Sequence, residues 1–534
     1  MKTGEKKAKG KSFGALRFFL YALSGALTAL PMIVPSLWFV AWFSASPVLY
    51  FEFFGSDKDS YPSSYRRGMS FFFVFGLITF YWFLELYPLD FLGFDKASAL
   101  FVVLLASIGI PLLQSSVSSF LLVFLTLMRK RGFFESHPVL GALFASSLWC
   151  IFEFFHTLTF LGVPWGRLAV GQTAFAPAIQ SVSLFGSFFV SFLMILTSSF
   201  LAVAIKHLRK KDKKRAIVFS ILCIFIFCAN LIFGAVRINV VEKELCPDTT
   251  VACVQGNIRF EDKWAGKAQY TMDLHRDLTI EASKDGADMV LWAETAFPYD
   301  ISEDPYLENS ICEIAKEANC YLIATAFSRD HEEKLYNTAR LIDENGTQTG
   351  DIYKKRHLVP FGEYTPYENL LKKIAPPLAE LSAIDDPVTP GDSTSLFETE
   401  HGKVGSLICF DSVYEGLCRE SVLDGAGLIC VSTNDSWFSK SSALRQHNAH
   451  SVLRAVENKR YVARAANTGI SSIISPTGKI LASLGDSETG YIKGDVQFIE
   501  ENTLYSLIGD TFIIICALFS AGALTIAFIK RKNK

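Results

Sequence analysis

Apolar residues crowd into two parts of the chain, residues 14–237 and 505–529, and thin out between them. The apolar stretches are long, and eight of them predict membrane-spanning helices, near residues 14–30, 33–54, 69–89, 98–128, 138–162, 179–205, 216–236 and 505–529. Residues 238–501 are patterned differently. Short β-rich runs lie at 250–255, 289–294, 320–327, 336–343, 404–410, 428–433 and 470–476, alternating with helical patterns such as 267–284, 307–318 and 441–458. That alternation predicts an α/β layered domain, in which reactive groups gather where strands end and loops begin. The organisation expected is a seven-helix bundle over 1–237, an outer domain over 238–501, and a last helix with a basic tail over 502–534.

A chain of 534 residues exceeds what one hydrophobic core usually organises, and the 47 Phe fall mostly in the apolar parts, as membrane helices require. Charge fixes the expected orientation. With a cytoplasmic N-terminus, the inside segments collect Lys2, Lys6, Lys7, Lys9 and Lys11, then Lys58, Arg66 and Arg67, then Arg129, Lys130 and Arg131. They go on to collect the cluster from Lys206 to Arg215 and the tail Lys530, Arg531, Lys532 and Lys534, whereas the short outside loops hold only Lys96 and Arg167. The first span reads as a retained helix and not a cleaved signal peptide, because the next span begins almost at once. Seven of the eleven cysteines fall in 238–501, an odd number with neither CxxC spacing nor a disulfide framework, so a working thiol there is possible.

Three polar residues stand at or just after the expected strand ends: Glu294 in DMVLWAETAFP, Lys355 in GDIYKKRHLVPFGE and Cys409 closing VGSLICF. Each has a bland alternative: a cap or ion pair for Glu294, a solvated charge for Lys355, a buried small hydrophobe for Cys409. Together they divide the work of acyl transfer. A carboxylate can take the thiol proton, the thiolate can attack a carbonyl, and an ammonium can stabilise the oxyanion.

The order Glu, Lys, Cys within WAETAFP, YKKRHLVPFGE and ICFD resembles the nitrilase superfamily. With the N-terminal bundle, HLVPFGEYTP, STNDSWF (432–438), RAANTGISSIISPTG (464–478) and FEFFHTLTFLGVPWGRLAVGQ (152–172), the chain resembles the apolipoprotein N-acyltransferase family over nearly its whole length. The resemblance implies an α-β-β-α sandwich joined to eight transmembrane helices, with Glu294 as general base, Lys355 as oxyanion-stabilising lysine and Cys409 as nucleophile. It further implies Glu363 as a second carboxylate of the site, and Trp264 and Trp437 as aromatics that support substrate binding. The chain departs from the family pattern after the nucleophile, where Phe410 precedes Asp411 in place of the usual Tyr before an acid, and Tyr414, Glu415 and Gly416 stand where F-P-E often follows; Phe410 and Asp411 join the supporting set. The implied partners are a membrane phospholipid as acyl donor and a diacylglyceryl-modified lipoprotein as acceptor, with no cofactor, metal or nucleic acid. The implied setting is the bacterial inner membrane, with the catalytic domain periplasmic and both termini cytoplasmic.

Three further features lie outside that set. The segment 369–384 is expected to form an arm touching the lipid surface. Glu153 and His156, costly in lipid, are expected to face the bundle interior. His447 and His450 have the spacing of metal ligands but sit in what reads as an amphipathic helix. Two rival readings are a membrane-tethered nitrilase-like amidase and a transporter or channel with an inactive outer domain. Eight spans exceed the single anchor an amidase would need, and the scarcity of ionisable residues within the spans and the lack of an evident inverted repeat count against a transporter.

Overall fold

The computed structural model describes residues 2–89, 95–158, 162–258, 268–302, 304–374, 387–438 and 440–529 of the chain. They form two compact units, one built from residues 2–84, 102–237 and 510–529, the other from the described part of 85–101 together with 238–509.

Seven helical stretches among the described residues, lying wholly or mainly in the first unit, are long and apolar enough to cross a membrane: Gly14–Ile33, Pro35–Phe54, Lys96–Lys130, Pro138–Phe155, Ser187–Arg209, Lys213–Glu244 and Thr511–Ile529. The expected span 69–89 departs from this pattern. It is helical over Tyr61–Thr79 and 3-10 over Tyr81–Leu86, but the helix opens on the polar run YPSSYRR, and its apolar remainder, Met69–Thr79, extends only about 16 Å at 1.5 Å per residue. The buried charge of Glu52 is paired. Glu52, fully buried, accepts hydrogen bonds from Tyr21 at 2.6 Å, Thr126 at 2.7 Å, and Arg67 at 3.0 and 3.1 Å. A buried carboxylate is tolerated when its lone pairs are filled in this way. Glu153, near the end of Pro138–Phe155, accepts through Oε1 from the Trp149 indole and the Leu168 amide, both at 3.1 Å. His156 Nε2 lies 3.0 Å from Ser118 Oγ.

The second unit is a sandwich of two sheets. One contains β1 (Thr249–Gln255), β2 (Met289–Leu291), β3 (Phe297–Asp300), β4 (Tyr321–Arg329), β5 (Leu335–Ile342), β6 (Gln348–Lys354) and β13 (Gly490–Val496) in the order β13-β1-β2-β4-β5-β6, with β3 pairing β4. The other runs β12 (Ile480–Leu484), β11 (Ser471–Ile474), β10 (Tyr461–Ala466), β9 (Leu428–Thr433), β8 (Gly402–Ile408), β7 (Leu396–Thr399). Alternation along the strands builds the layers. Val251 and Cys253 of β1 and Met289 and Leu291 of β2 face the second sheet, meeting Val404, Ile408, Leu428, Cys430 and Ala463 in one buried core. Their neighbours Ala252, Val254 and Val290 turn the other way, onto Met272 and Ala282 of the helix Ala268–Lys284 and Ile311 and Ile314 of the helix Pro305–Ala318. On the far side of the second sheet lie the helices Glu415–Leu423 and Ser442–Asn458. The layering is therefore α-β-β-α.

The second unit does not stop at residue 501. Thr503 donates to the Glu457 carbonyl, Ser506 Oγ donates to Asn458 at 3.0 Å, and Arg419 donates to the carbonyls of Ser506 at 2.7 Å and Leu507 at 3.1 Å, which binds the short helix Leu504–Ile508 to this unit. The helix Ser442–Asn458 also differs from its expected amphipathic form, being buried on every face. Its polar residues find partners inside, such as Arg454 with Glu457 at 2.7 Å, so a sequence that reads as half solvated is accommodated dry. All eleven cysteines are free, Cys418 and Cys430 among them. Of the segment 369–384, residues up to 374 continue the helix Glu368–Ile374, and 375–386 lie outside the described residues.

Candidate active site

Glu294, Lys355 and Cys409 come from three different strand ends and meet. β2 is parallel to both its neighbours, β1 and β4, and β8 is parallel to β9 and antiparallel to β7; Glu294 and Cys409 emerge at the carboxyl ends of these strands, where open α/β sheets place their chemistry. Lys355 follows β6. The Lys355 ammonium, 1 % exposed, lies 2.8 Å from Glu294 Oε1 and 2.9 Å from Glu363 Oε1, with Glu363 Oε2 also at 2.8 Å. Burial opposes its charge, but Glu294 and Glu363 outweigh burial and hold it well above the usual lysine range. It is a permanent cation between two carboxylates.

Each carboxylate is oriented by further donors. Asn337 Nδ2, on β5, donates to Glu294 at 2.9 Å and to Glu363 at 3.2 Å. The Asn434 amide donates to Glu294 Oε2 at 3.0 Å and the Val359 amide to Glu363 Oε2 at 2.8 Å. The position of Asn337 opposite Phe327 in the β4–β5 ladder fixes this reach. Asn337 was legible only as a polar residue inside a β-rich run, with nothing to mark it as a site residue.

Cys409 begins a 3-10 turn, Cys409–Val413, at the end of β8, with φ of +50°. A non-glycine residue with positive φ is strained, by about 1 kcal/mol or more, and such strain persists where the surroundings over-determine it. Two sets of contacts do so here. Asp411, fully buried, accepts from the amides of His357 at 2.7 Å, Arg356 at 3.3 Å and Ile408 at 3.1 Å, and from the Tyr353 hydroxyl at 2.8 Å. It therefore ties the nucleophile turn to the chain on both sides of Lys355. Burial pushes its carboxyl up to about 6 despite these donors. On the other side, His447 Nε2 lies 3.3 Å from the Cys409 carbonyl oxygen, while its Nδ1 lies 2.8 Å from Asp435, which also holds Arg464 at 2.8 Å. Gly469, with φ of +108°, lets the turn after Arg464 come this close, since a Cβ there would stand 2.7 Å from that of Asp435. Burial first, and Glu294 next, push the Cys409 thiol far above the usual cysteine range, against the pull of Lys355. At rest Cys409 is therefore a protonated thiol, and a role as nucleophile would require a base to take its proton.

A sulfur, a carboxylate oxygen and an imidazole nitrogen of Cys409, Asp435 and His447 lie within 4.8 Å of one another. Both Asp435 oxygens are already engaged, Oδ1 by Thr433 and His447 and Oδ2 by the Arg464 guanidinium. A cation would have to compete with that guanidinium, so the donor set reads as a positioning group and not a metal centre.

The remaining expected site residues are placed as follows. Phe410 is half-buried and meets Tyr414 edge-on at 5.3 Å, and Tyr414 in turn lies 3.8 Å from the His357 ring, so the aromatic after the nucleophile joins a cluster over the segment that follows Lys355. Asp411 is turned inward as a tie. Trp437 is half-buried in the 3-10 turn Ser436–Phe438, directly after Asp435. Trp264 lies outside the described residues.

A two-sheet sandwich with a buried Glu, Lys and Cys at its strand ends, carried on a chain with apolar helices, defines a membrane-tethered enzyme of the carbon-nitrogen hydrolase class. Residues 250–501 match the carbon-nitrogen hydrolase family, and residues 24–200 match the apolipoprotein N-acyltransferase N-terminal domain. The chain is 29% identical over 522 residues to the apolipoprotein N-acyltransferase of Geobacter metallireducens, covering 97% of this chain and 96% of that one. It is 28% identical over 501 residues to that of Gloeobacter violaceus, covering 93% and 91%. An amidase from Nesterenkonia sp. of known structure is 22% identical, with 48% of this chain and 92% of that chain covered and a TM-score of 0.38. The chain belongs to the apolipoprotein N-acyltransferase family of membrane-bound bacterial enzymes.

Proposed function

We propose that the protein moves an acyl chain from a membrane phospholipid to the α-amino group of the N-terminal diacylglyceryl-cysteine of apolipoproteins, through a thioester on Cys409. The observation that carries this reading is the convergence of the Lys355 ammonium on Glu294 at 2.8 Å, in a domain whose nucleophile is a protonated thiol.

Glu294 takes the thiol proton as the sulfur attacks the ester carbonyl carbon, and Lys355 stabilises the oxyanion. Collapse breaks the ester C–O bond, the proton on Glu294 passes to the departing alkoxide, and a lysophospholipid leaves. The acceptor amine then attacks the thioester carbon and gives a proton to Glu294. The C–S bond breaks, the thiolate takes that proton, and the acyl chain leaves as an amide. Glu363 and Asn337 hold Lys355 and Glu294 in place, and Trp437, Phe410 and Trp264 support the substrates. Both substrates are anchored by acyl chains, and lifting a chain into water costs about 0.8 kcal/mol per CH2, which is the physical reason to join this domain to apolar helices.

The proposed location is the inner membrane, with the catalytic unit periplasmic and both termini cytoplasmic, supported by the bias of Lys and Arg among the loops. The activity is tested by incubating the full-length protein with phospholipid carrying a deuterated acyl chain and a diacylglyceryl lipopeptide. The deuterated chain is expected on the lipopeptide amine; its appearance as free fatty acid, with no amide formed, would make the protein a hydrolase instead.

A further inference from the structure

The membrane unit holds a cleft that the proposed chemistry does not use. Its space, open solvent at the mouth counted in, is about 480 Å3, and its walls among the described residues include Phe72, Phe75, Trp149 and Phe152, with Glu153 and His156 as the titratable groups. We propose that this cleft binds a primary alkylammonium group, held by the Glu153 carboxylate against the aromatic rings.

The chemistry points to a cation. Glu153 Oε1 is committed to the Trp149 indole and the Leu168 amide, but Oε2 is buried without a hydrogen-bond partner among the described residues. Ser191 lies close enough to supply one donor, and a carboxylate oxygen accepts two. Among the described residues no Lys or Arg lines the cleft, which disfavours a phosphate there. Arg167 is within electrostatic reach of Glu153, but its guanidinium stacks over Phe188 at 3.9 Å and donates to Ser187. A carboxylate beside several ring faces is the arrangement that recognises alkylammonium ions, and a carboxylate kept within a membrane unit usually serves a ligand. The turn that bounds the cleft is fixed around it: Gly166 lines it, and Gln114, another wall residue, donates to the Val163 carbonyl at 3.0 Å.

Two sources carry this group, the aminoethyl headgroup of a zwitterionic phospholipid and the α-amino group of a lipopeptide. The proposal deepens the acyl-transfer reading by naming the group through which one substrate is held, and it is tested by binding, so that it stands or falls apart from the chemistry. Full-length protein carrying Cys409→Ser, with and without Glu153→Gln, is loaded from mixed micelles with phosphatidylethanolamine, phosphatidylglycerol, a free-amine diacyl lipopeptide or its N-acetylated form, and retained ligand is read by native mass spectrometry. Glu153→Gln is expected to lower retention of an amine-bearing ligand at least about tenfold while leaving phosphatidylglycerol and the acetylated lipopeptide unchanged. Loss confined to phosphatidylethanolamine assigns the donor headgroup, and loss confined to the free-amine lipopeptide assigns the acceptor. Equal retention of all four ligands by both proteins would overturn the site. Phe152→Leu, which keeps the carboxylate, should reproduce the selective loss more weakly and serves if Glu153→Gln fails to fold.

Discussion

Lys355 Nζ stands 2.8 Å from Glu294 Oε1, and the same ammonium reaches both oxygens of Glu363 within 2.9 Å. One buried cation thus bridges the two buried carboxyl groups, and the proposed base and oxyanion stabiliser are in direct contact before substrate arrives. Truncating Lys355 would leave two charges in the interior without a counter-ion. Lys355→Met should destabilise the catalytic unit by about 3–5 kcal/mol, measured by chemical denaturation in detergent, and lower kcat by about a thousandfold. Adding Glu363→Gln should recover part of the stability and none of the activity; recovery of both would mean that Lys355 only pairs charges.

The Cys409 thiol is pushed up by burial and by Glu294, so it is not a preformed thiolate. Iodoacetamide alkylation of Cys409, followed by mass spectrometry, should rise about tenfold per pH unit through neutrality, with no plateau below about pH 9. A plateau between about pH 6 and 7 would show a stabilised thiolate and remove the need for a base in the first step.

His447 reaches the carbonyl of Cys409 and is steadied by Asp435 and Arg464, the geometry of a positioning residue. His447→Asn should lower kcat by about ten- to a hundredfold, leave KM nearly unchanged and keep the shape of the pH profile. A shift of the pH profile would instead make His447 a proton carrier.

Asp411 gives a pH signature of its own. Its carboxyl is raised to about 6 in the folded protein, above its unfolded value near 3.9. The folded state therefore binds this proton more tightly, so the stability it contributes is present below about pH 4 and is lost as pH rises through about 6. The difference in Tm between the wild type and Asp411→Asn should fall across that interval. A difference that is flat, or that grows with pH, would contradict a raised carboxyl.

The fold class was legible because each layer leaves its own period: continuous apolar stretches for the bundle, and short runs broken by helical patterns for the sandwich. The expected strand 428–433 is β9 to the residue, whereas the run 404–410 ends two residues earlier, because Cys409 leaves the sheet into its strained turn. Glu294, Lys355 and Cys409 could be singled out because their residue types together name a reaction. Asn337 could not, since its role depends on the β5 register that aims it between two carboxylates. Asp411, read as one of the supporting site residues beside the substrate, proves to be a tie because four donors from two segments converge on it, a convergence that exists only in three dimensions. The helix Ser442–Asn458 misled for a related reason, since several of its polar residues, Arg454 toward the Val413 carbonyl and Asn448 toward Ser472 among them, find partners on other segments.

The most direct test is the covalent state of Cys409. Full-length protein is incubated with phospholipid alone, without an acceptor, and the tryptic peptide containing Cys409 is weighed. A hydroxylamine-labile acyl adduct on Cys409, absent in Cys409→Ser and strongly reduced in Glu294→Gln, is the predicted result. An unmodified Cys409 in a protein that still acylates the lipopeptide, or an adduct that persists in Cys409→Ser, would contradict a thioester mechanism at this site.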